Sequence, residues 1–130
     1  MKYLIKHGID VVDDKRFSKD PVNKQIFLQK VFHPTEINSG KLSSIFALKE
    51  ATFKALGIFP KWLEVEVKYE KNLGTSKPKL ILSSAITPKN IISIDSSITH
   101  ESGFTFASVI ILLENKSSVT RKTQIKNNKK

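Results

Sequence analysis

Phe46-Ala47-Leu48-Lys49-Glu50-Ala51-Thr52-Phe53-Lys54-Ala55-Leu56-Gly57 is the stretch on which the fold turns. Its residues are fair to good helix formers. Ser43 or Ser44 can cap its start, and Gly57 can end it in the left-handed conformation. Steps of about 100° per residue put Phe46, Lys49, Glu50 and Phe53 in one arc, with Lys54 at its border. Ala47, Ala51 and Ala55 form a second stripe, small enough for another element to approach closely. Glu50 is the discordant member. A carboxylate flanked by two phenylalanines is costly unless it is paired, protonated or bound to a cation. Spacing alone fits an ordinary i,i+4 ion pair with Lys54 on a solvated face, worth roughly 0.2–0.5 kcal/mol.

Upstream, His7 to Asp13 reads as a buried strand interrupted by Asp10, with Gly8 permitting close backbone approach. A mixed-charge segment follows. Pro21 to Phe32 then carries Val22, Ile26, Phe27, Val31 and Phe32 at helical spacing, which predicts an amphipathic helix with a basic outer face. Thr35-Glu36-Ile37 begins a short helical turn. Downstream, Ile58 to Trp62 reads as a connection with exposed aromatics. Leu63 to Glu70 alternates strictly and predicts a strand, returned by Lys79 to Ser83 as a hairpin. Ser84 to Asn90 reads as a short helix or loop. Ile91 to Ile98 and Phe104 to Leu113 read as two further strands joined by Thr99 to Gly103. The last is apolar on both faces, which predicts a central position. The fold class is α+β, an antiparallel-rich sheet packed against a long central helix. There is no internal repeat.

The 130 residues fit one domain with a real core, assigned to 1–114, with a basic, disordered tail at 115–130. Cysteine is absent, which excludes disulfide and thiolate chemistry and fits a reducing compartment. The apolar run Tyr3-Leu4-Ile5 is too short for a signal peptide or a membrane span. These features predict a soluble, cytoplasmic protein with no membrane partner. The formal charge is +10, and the six basic residues beyond Asn115, when set aside, leave +4 on the body. A mildly basic body suits an acidic protein or a polyphosphorylated small molecule.

There is no Gly-rich phosphate loop, zinc-spaced histidine cluster or serine-hydrolase elbow. What remains is Gly8-Ile9-Asp10, the helix Phe46–Gly57, and Ser97-Ile98-Thr99-His100. In this order and at these separations they resemble the 4′-phosphopantetheinyl transferase superfamily, in its small holo-acyl-carrier-protein synthase type, from about Gly8 to Leu113. The resemblance implies transfer of 4′-phosphopantetheine from coenzyme A to a serine of apo acyl carrier protein, releasing adenosine 3′,5′-bisphosphate. It implies Mg²⁺ as cofactor, held by Asp10 and Glu50, because hard cations want carboxylate oxygens. Glu50 is the implied base for the serine, and Lys54 the residue that steadies the departing charge. Lys49, Lys54, Gly57 and His100 are assigned to the coenzyme. Arg16 matches the docking arginine for the acidic carrier protein, with Lys15, Lys19 and Lys24 as neighbours. His7 and His33 match nothing and read as structural or surface residues. The resemblance also implies a homotrimer with active sites shared between subunits. Three positions depart from the family pattern: Ile45 stands where an arginine is frequent, Ile58-Phe59-Pro60 replaces a second glycine, and Ser76 replaces a glycine. The competing readings are an inactive carrier-protein-binding relative and a basic nucleic-acid-binding protein. The latter is disfavoured by the lack of aromatics interleaved with lysines on one sheet face.

Overall fold

The computed structural model describes residues 2–17, 21–72 and 75–115, with the side chains of 21–23 and 71–76 left aside. The expected tail beyond Asn115, and Lys19, lie outside the described residues. The elements in order are β1 (Lys2–Asp13), α1 (Pro21–Val31), α2 (Pro34–Ser39), α3 (Leu42–Leu56), β2 (Val65–Asn72), β3 (Thr75–Leu82), β4 (Ile91–Glu101) and β5 (Phe104–Asn115). Short 3₁₀ turns at Asp14–Phe17 and Trp62–Glu64 follow β1 and precede β2. One antiparallel sheet has the order β1-β5-β4, and the hairpin β2-β3 forms a second.

α3 is the central helix the sequence predicts, and it packs on β1 and β5. Gly57 ends it at φ 71°, with its N–H bonded to Phe53 O. Its start differs from expectation: Lys41 is the N-cap, without a side-chain cap, and Ser44 is buried in the first turn. The alanine stripe does receive a neighbour. A Cβ on Gly8 would overlap the Ala51 carbonyl oxygen and stand 2.7 Å from Ala55 N. Glycine at this position lets β1 cross α3 at backbone distance.

β1 is not the buried strand expected from His7. It begins at Lys2, taking in Tyr3-Leu4-Ile5, and only Gly8 and Val12 are buried. β5 is central as predicted. Thr105, Ala107, Val109, Ile111 and Leu113 face the core, while Phe104, Phe106 and Ile110 are exposed on the other face. The β4–β5 connection is tighter than expected, a two-residue turn at Ser102-Gly103 with both residues at positive φ, the type I′ pattern. Residues 84–90 form turns rather than a helix.

The apolar core joins this sheet face to α1 and α3. In α1 the buried face runs through Leu28 and Val31, with Phe27 half-buried, whereas Ile26 is 57% exposed. Phe17, Phe27, Phe32, Phe46, Phe53 and Trp62 form one aromatic cluster. Trp62 stacks on Phe46 at 5.1 Å between centroids, so it is a core residue rather than an exposed aromatic. Phe59, by contrast, is 90% exposed.

Candidate active site

Gly8 brings β1 against α3, and two residues further on Asp10 emerges on the same face, opposite Ala107. Lys54, in the last turn of α3, reaches across and donates to Asp10 Oδ1 and to Ile9 O, both at 3.1 Å. Lys54 therefore pairs with Asp10 rather than forming the simple i,i+4 pair with Glu50 that spacing suggests. Glu50 lies one turn earlier and is half-buried. Its carboxyl is held above the usual glutamate range, first by burial and then by the negative charge of Asp10, with Lys54 and Arg16 opposing. Two carboxylates from two elements thus bear on one another, with two cations at their margin.

This donor set fits a magnesium-type ion. Hard oxygen donors suit it, and such ions take one or two protein carboxylates and fill their other positions with water and phosphate. Among the described residues no cluster of three or more metal-ligating side chains occurs, so a closed all-protein cage is not built here. Burial is the larger cause of the rise at Glu50; the smaller one, the charge of Asp10, is what a cation held by both acids would relieve.

Two cavities border this region. Asp10 and Lys54 line one of about 450 Å³, together with Ile9, Val11, Ser97 and Phe106. A larger cleft of about 880 Å³ is lined by Asp14, Lys41, Tyr69, Lys77, His100 and Thr105, among others. Ser97 and Ile98 border both. His100 thus occupies a different cavity of the same chain from Asp10 and Lys54.

Two expected site residues are placed elsewhere. Lys49, expected at the coenzyme, is fully buried, and its Nζ donates to Glu36 Oε1 and Val31 O at 2.7 Å and Trp62 O at 3.0 Å. Three acceptors on three N–H bonds require the ammonium form, although burial pulls its pKa downward against the pull of Glu36. Its role is internal, and it drops out of the site. Ile45 is also wholly buried, so the departure from an arginine falls in the core and not on a cleft wall. Gly57 borders neither cavity. Arg16 is exposed with its guanidinium 4.6 Å from the centroid of Phe46, Lys15 is exposed, and Lys24 is half-buried. His7 bonds Ser108 Oγ and His33 bonds Leu63 O, as structural or surface histidines do.

Sequence reasoning passed over Glu36, which is buried and binds three elements together. Its carboxylate accepts from His33 N (2.7 Å), Lys49 Nζ (2.7 Å) and Val67 N (2.8 Å). The readable signal was its position three residues after His33, the capping-box spacing.

An antiparallel sheet is thus crossed by a helix that carries Glu50 and Lys54, with Asp10 on the adjoining strand. A comparison with models of known protein families finds no match. Individual relatives do match. The chain is 32% identical over 116 residues to the holo-[acyl-carrier-protein] synthase of Helicobacter pylori, covering 83% of this chain and 98% of that one. It is 36% identical over 120 residues to that of Campylobacter hominis, covering 80% and 94%. Among solved structures, the H. pylori synthase in complex with coenzyme A superposes at TM-score 0.68 and 33% identity, over 81% of this chain and 98% of that one. The Bacillus anthracis synthase with CoA (3′,5′-ADP) gives 0.68 and 25% identity, over 87% and 100%. The chain belongs to the holo-[acyl-carrier-protein] synthase family.

Proposed function

We propose that this protein transfers 4′-phosphopantetheine from coenzyme A to the serine hydroxyl of an apo acyl carrier protein, with Asp10, Glu50 and Lys54 at the reacting end. The observation that carries this reading is the placing of Asp10 and Glu50 on adjoining elements, where burial first and the charge of Asp10 second hold the Glu50 carboxyl above its usual range, a pair of acids that a divalent cation would suit. That cation, Mg²⁺ in this reading, would neutralise the pyrophosphate and polarise its phosphoryl oxygens. Asp10 and Glu50 would hold it. Glu50 is the base that accepts the serine proton. Lys54, about half exposed, would exchange Asp10 for the phosphates and offset the charge of the departing bisphosphate.

Arg16 and Lys15, exposed directly after β1, present positive charge to the acidic carrier protein, and Lys24 on α1 adds to it. The assembly in this reading is a trimer. The sheet face turned away from α3 exposes Ile5, Ile9, Val11, Phe106 and Ile110 side by side, an apolar patch of the kind that marks an interface. Sharing of sites between subunits is supported by the separation, within one chain, of His100 from the cavity of Asp10 and Lys54.

Intact-mass spectrometry of an apo carrier protein incubated with the enzyme, coenzyme A and Mg²⁺ tests the reading. The expected result is the gain of one phosphopantetheine, lost with EDTA and with Asp10→Ala or Glu50→Ala. No gain with several carrier proteins, from folded enzyme, overturns it.

A further inference from the structure

His7 sits on the sheet face turned away from α3, within its apolar patch. Along β1 it alternates onto that face with Ile5 and Ile9, and it lies opposite Ile110 on β5. These three neighbours are 66%, 62% and 44% exposed, and His7 is exposed with them. Its Nε2 lies 2.8 Å from Ser108 Oγ, diagonally across the ladder. A serine hydroxyl can donate to a bare ring nitrogen or accept from a protonated one. Ser108 therefore holds the ring in place in either charge state and does not choose between them.

The other ionisable groups of this face lie at its margins. They are Tyr3 and Asp13 on β1, Glu114 on β5 opposite Tyr3, and Asp95 and Glu101 on β4. Asp95 shares the row of His7, one strand beyond Ile110, and it already accepts from Lys77 Nζ and Ser96 N, both at 2.9 Å. Asp10 and Lys54, bonded to each other, border the adjoining cavity with Ile9 and Ser108. The charged residues that the three strands place on this face are thus acids. An acidic carrier protein is drawn instead to the basic rim at Lys15 and Arg16, and what suits an apolar face of this kind is a second copy of the same chain.

We propose that His7 makes this assembly pH-sensitive: as a neutral ring it packs between copies, and as a protonated one it keeps them apart. This deepens the trimer reading given above and rests on it. Burying an unpaired cation in an apolar interface is costly, so the assembled chain favours the neutral ring. Such a group supports assembly above the imidazole range and withdraws that support as pH falls through it. Imidazoles titrate around pH 6.5, so the neutral fraction of one ring falls about tenfold between about pH 7.5 and about pH 5.5. A trimer that must discharge one ring per copy then loses about a thousandfold in its association constant.

Sedimentation velocity of the full-length protein over a concentration series, at these two pH values, tests the proposal without reference to activity. Circular dichroism at both verifies that the chains stay folded. The wild type is expected to be trimeric at the higher pH and to shift to monomer at the lower one. His7→Gln, uncharged and able to bond Ser108, stays trimeric at both. His7→Lys, charged throughout, is monomeric at both. A wild-type trimer with one association constant at both pH values overturns the switch and leaves the trimer standing, as does a fall that His7→Gln retains in full. Association that strengthens as pH falls, as an acid of the neighbouring copy facing His7 would cause, overturns it as well. A monomer at every pH and concentration overturns the trimer reading itself and the switch with it.

Discussion

Lys49→Met is the substitution that most sharply separates an internal role for this lysine from a role at the coenzyme. Methionine has nearly the length of lysine and none of its charge. Its introduction removes the Nζ donors to Glu36 Oε1, Val31 O and Trp62 O. The Glu36 carboxylate, itself wholly buried, would keep only the backbone N–H groups of His33 and Val67. Breaking a buried ion pair by deleting one partner costs about 3–5 kcal/mol, because the remaining charge is uncompensated. Domains of this size hold about 5–15 kcal/mol in total and lose about 4 °C of Tm per kcal/mol, so a drop of about 12–20 °C is expected. Urea unfolding followed by circular dichroism, at fixed protein concentration because assembly also stabilises, measures the loss. Glu36→Gln in the same chain should recover part of it, with a coupling of about 0.5–3 kcal/mol. A Lys49→Met protein within about 1 kcal/mol of wild type and with a raised KM for coenzyme A would refute the internal role.

Three further outcomes follow from the same geometry. Gly8→Ala drives a methyl into the Ala51 carbonyl and should cost about 1–3 kcal/mol or more, read by urea unfolding; a neutral effect would mean β1 and α3 are not this close. Glu50 keeps its proton to higher pH in the folded chain than in the unfolded one, so its contribution to stability falls as pH rises through the window above the ordinary glutamate value. Glu50→Gln, assayed metal-free at several pH values, should remove that fall, and a wild-type-minus-variant difference that instead grows with pH would reverse the sign. Ile9→Asp, which puts charge on the exposed sheet face, should convert the proposed trimer to monomer by light scattering; an unchanged mass would show that this face does not assemble.

The elements were legible because their patterns are local. α3 announces itself by helical spacing with Gly57 as a stop, β2 by alternation, and β5 by an apolar run suited to a central strand. The misreadings have physical reasons. Trp62 follows a polar, proline-containing connection, and only the fold shows that it stacks on Phe46. The start of α3 moved to Leu42 because Ser44 is buried in the first turn, so neither candidate serine is the cap. β1 was judged buried from its β-branched residues. An edge strand on a sheet with one apolar open face carries the same residues.

The site divides in the same way. Asp10, Glu50 and Lys54 are named by the resemblance to the family's motifs; the residues alone mark only charges in apolar surroundings, Glu50 most of all. Lys49 carried the same signal and led to the opposite outcome: its partner, Glu36, lies thirteen residues away on another helix. From sequence, a lysine neutralised by a buried glutamate and one awaiting a phosphate look alike; both are charges on an apolar arc. What distinguishes them is saturation. Lys49 has three acceptors for three protons. Lys54 has two and remains about half exposed, so one of its protons is left for a phosphate. Counting protons against acceptors therefore separates the framework, where every bond is taken, from the machinery, where one is left to give.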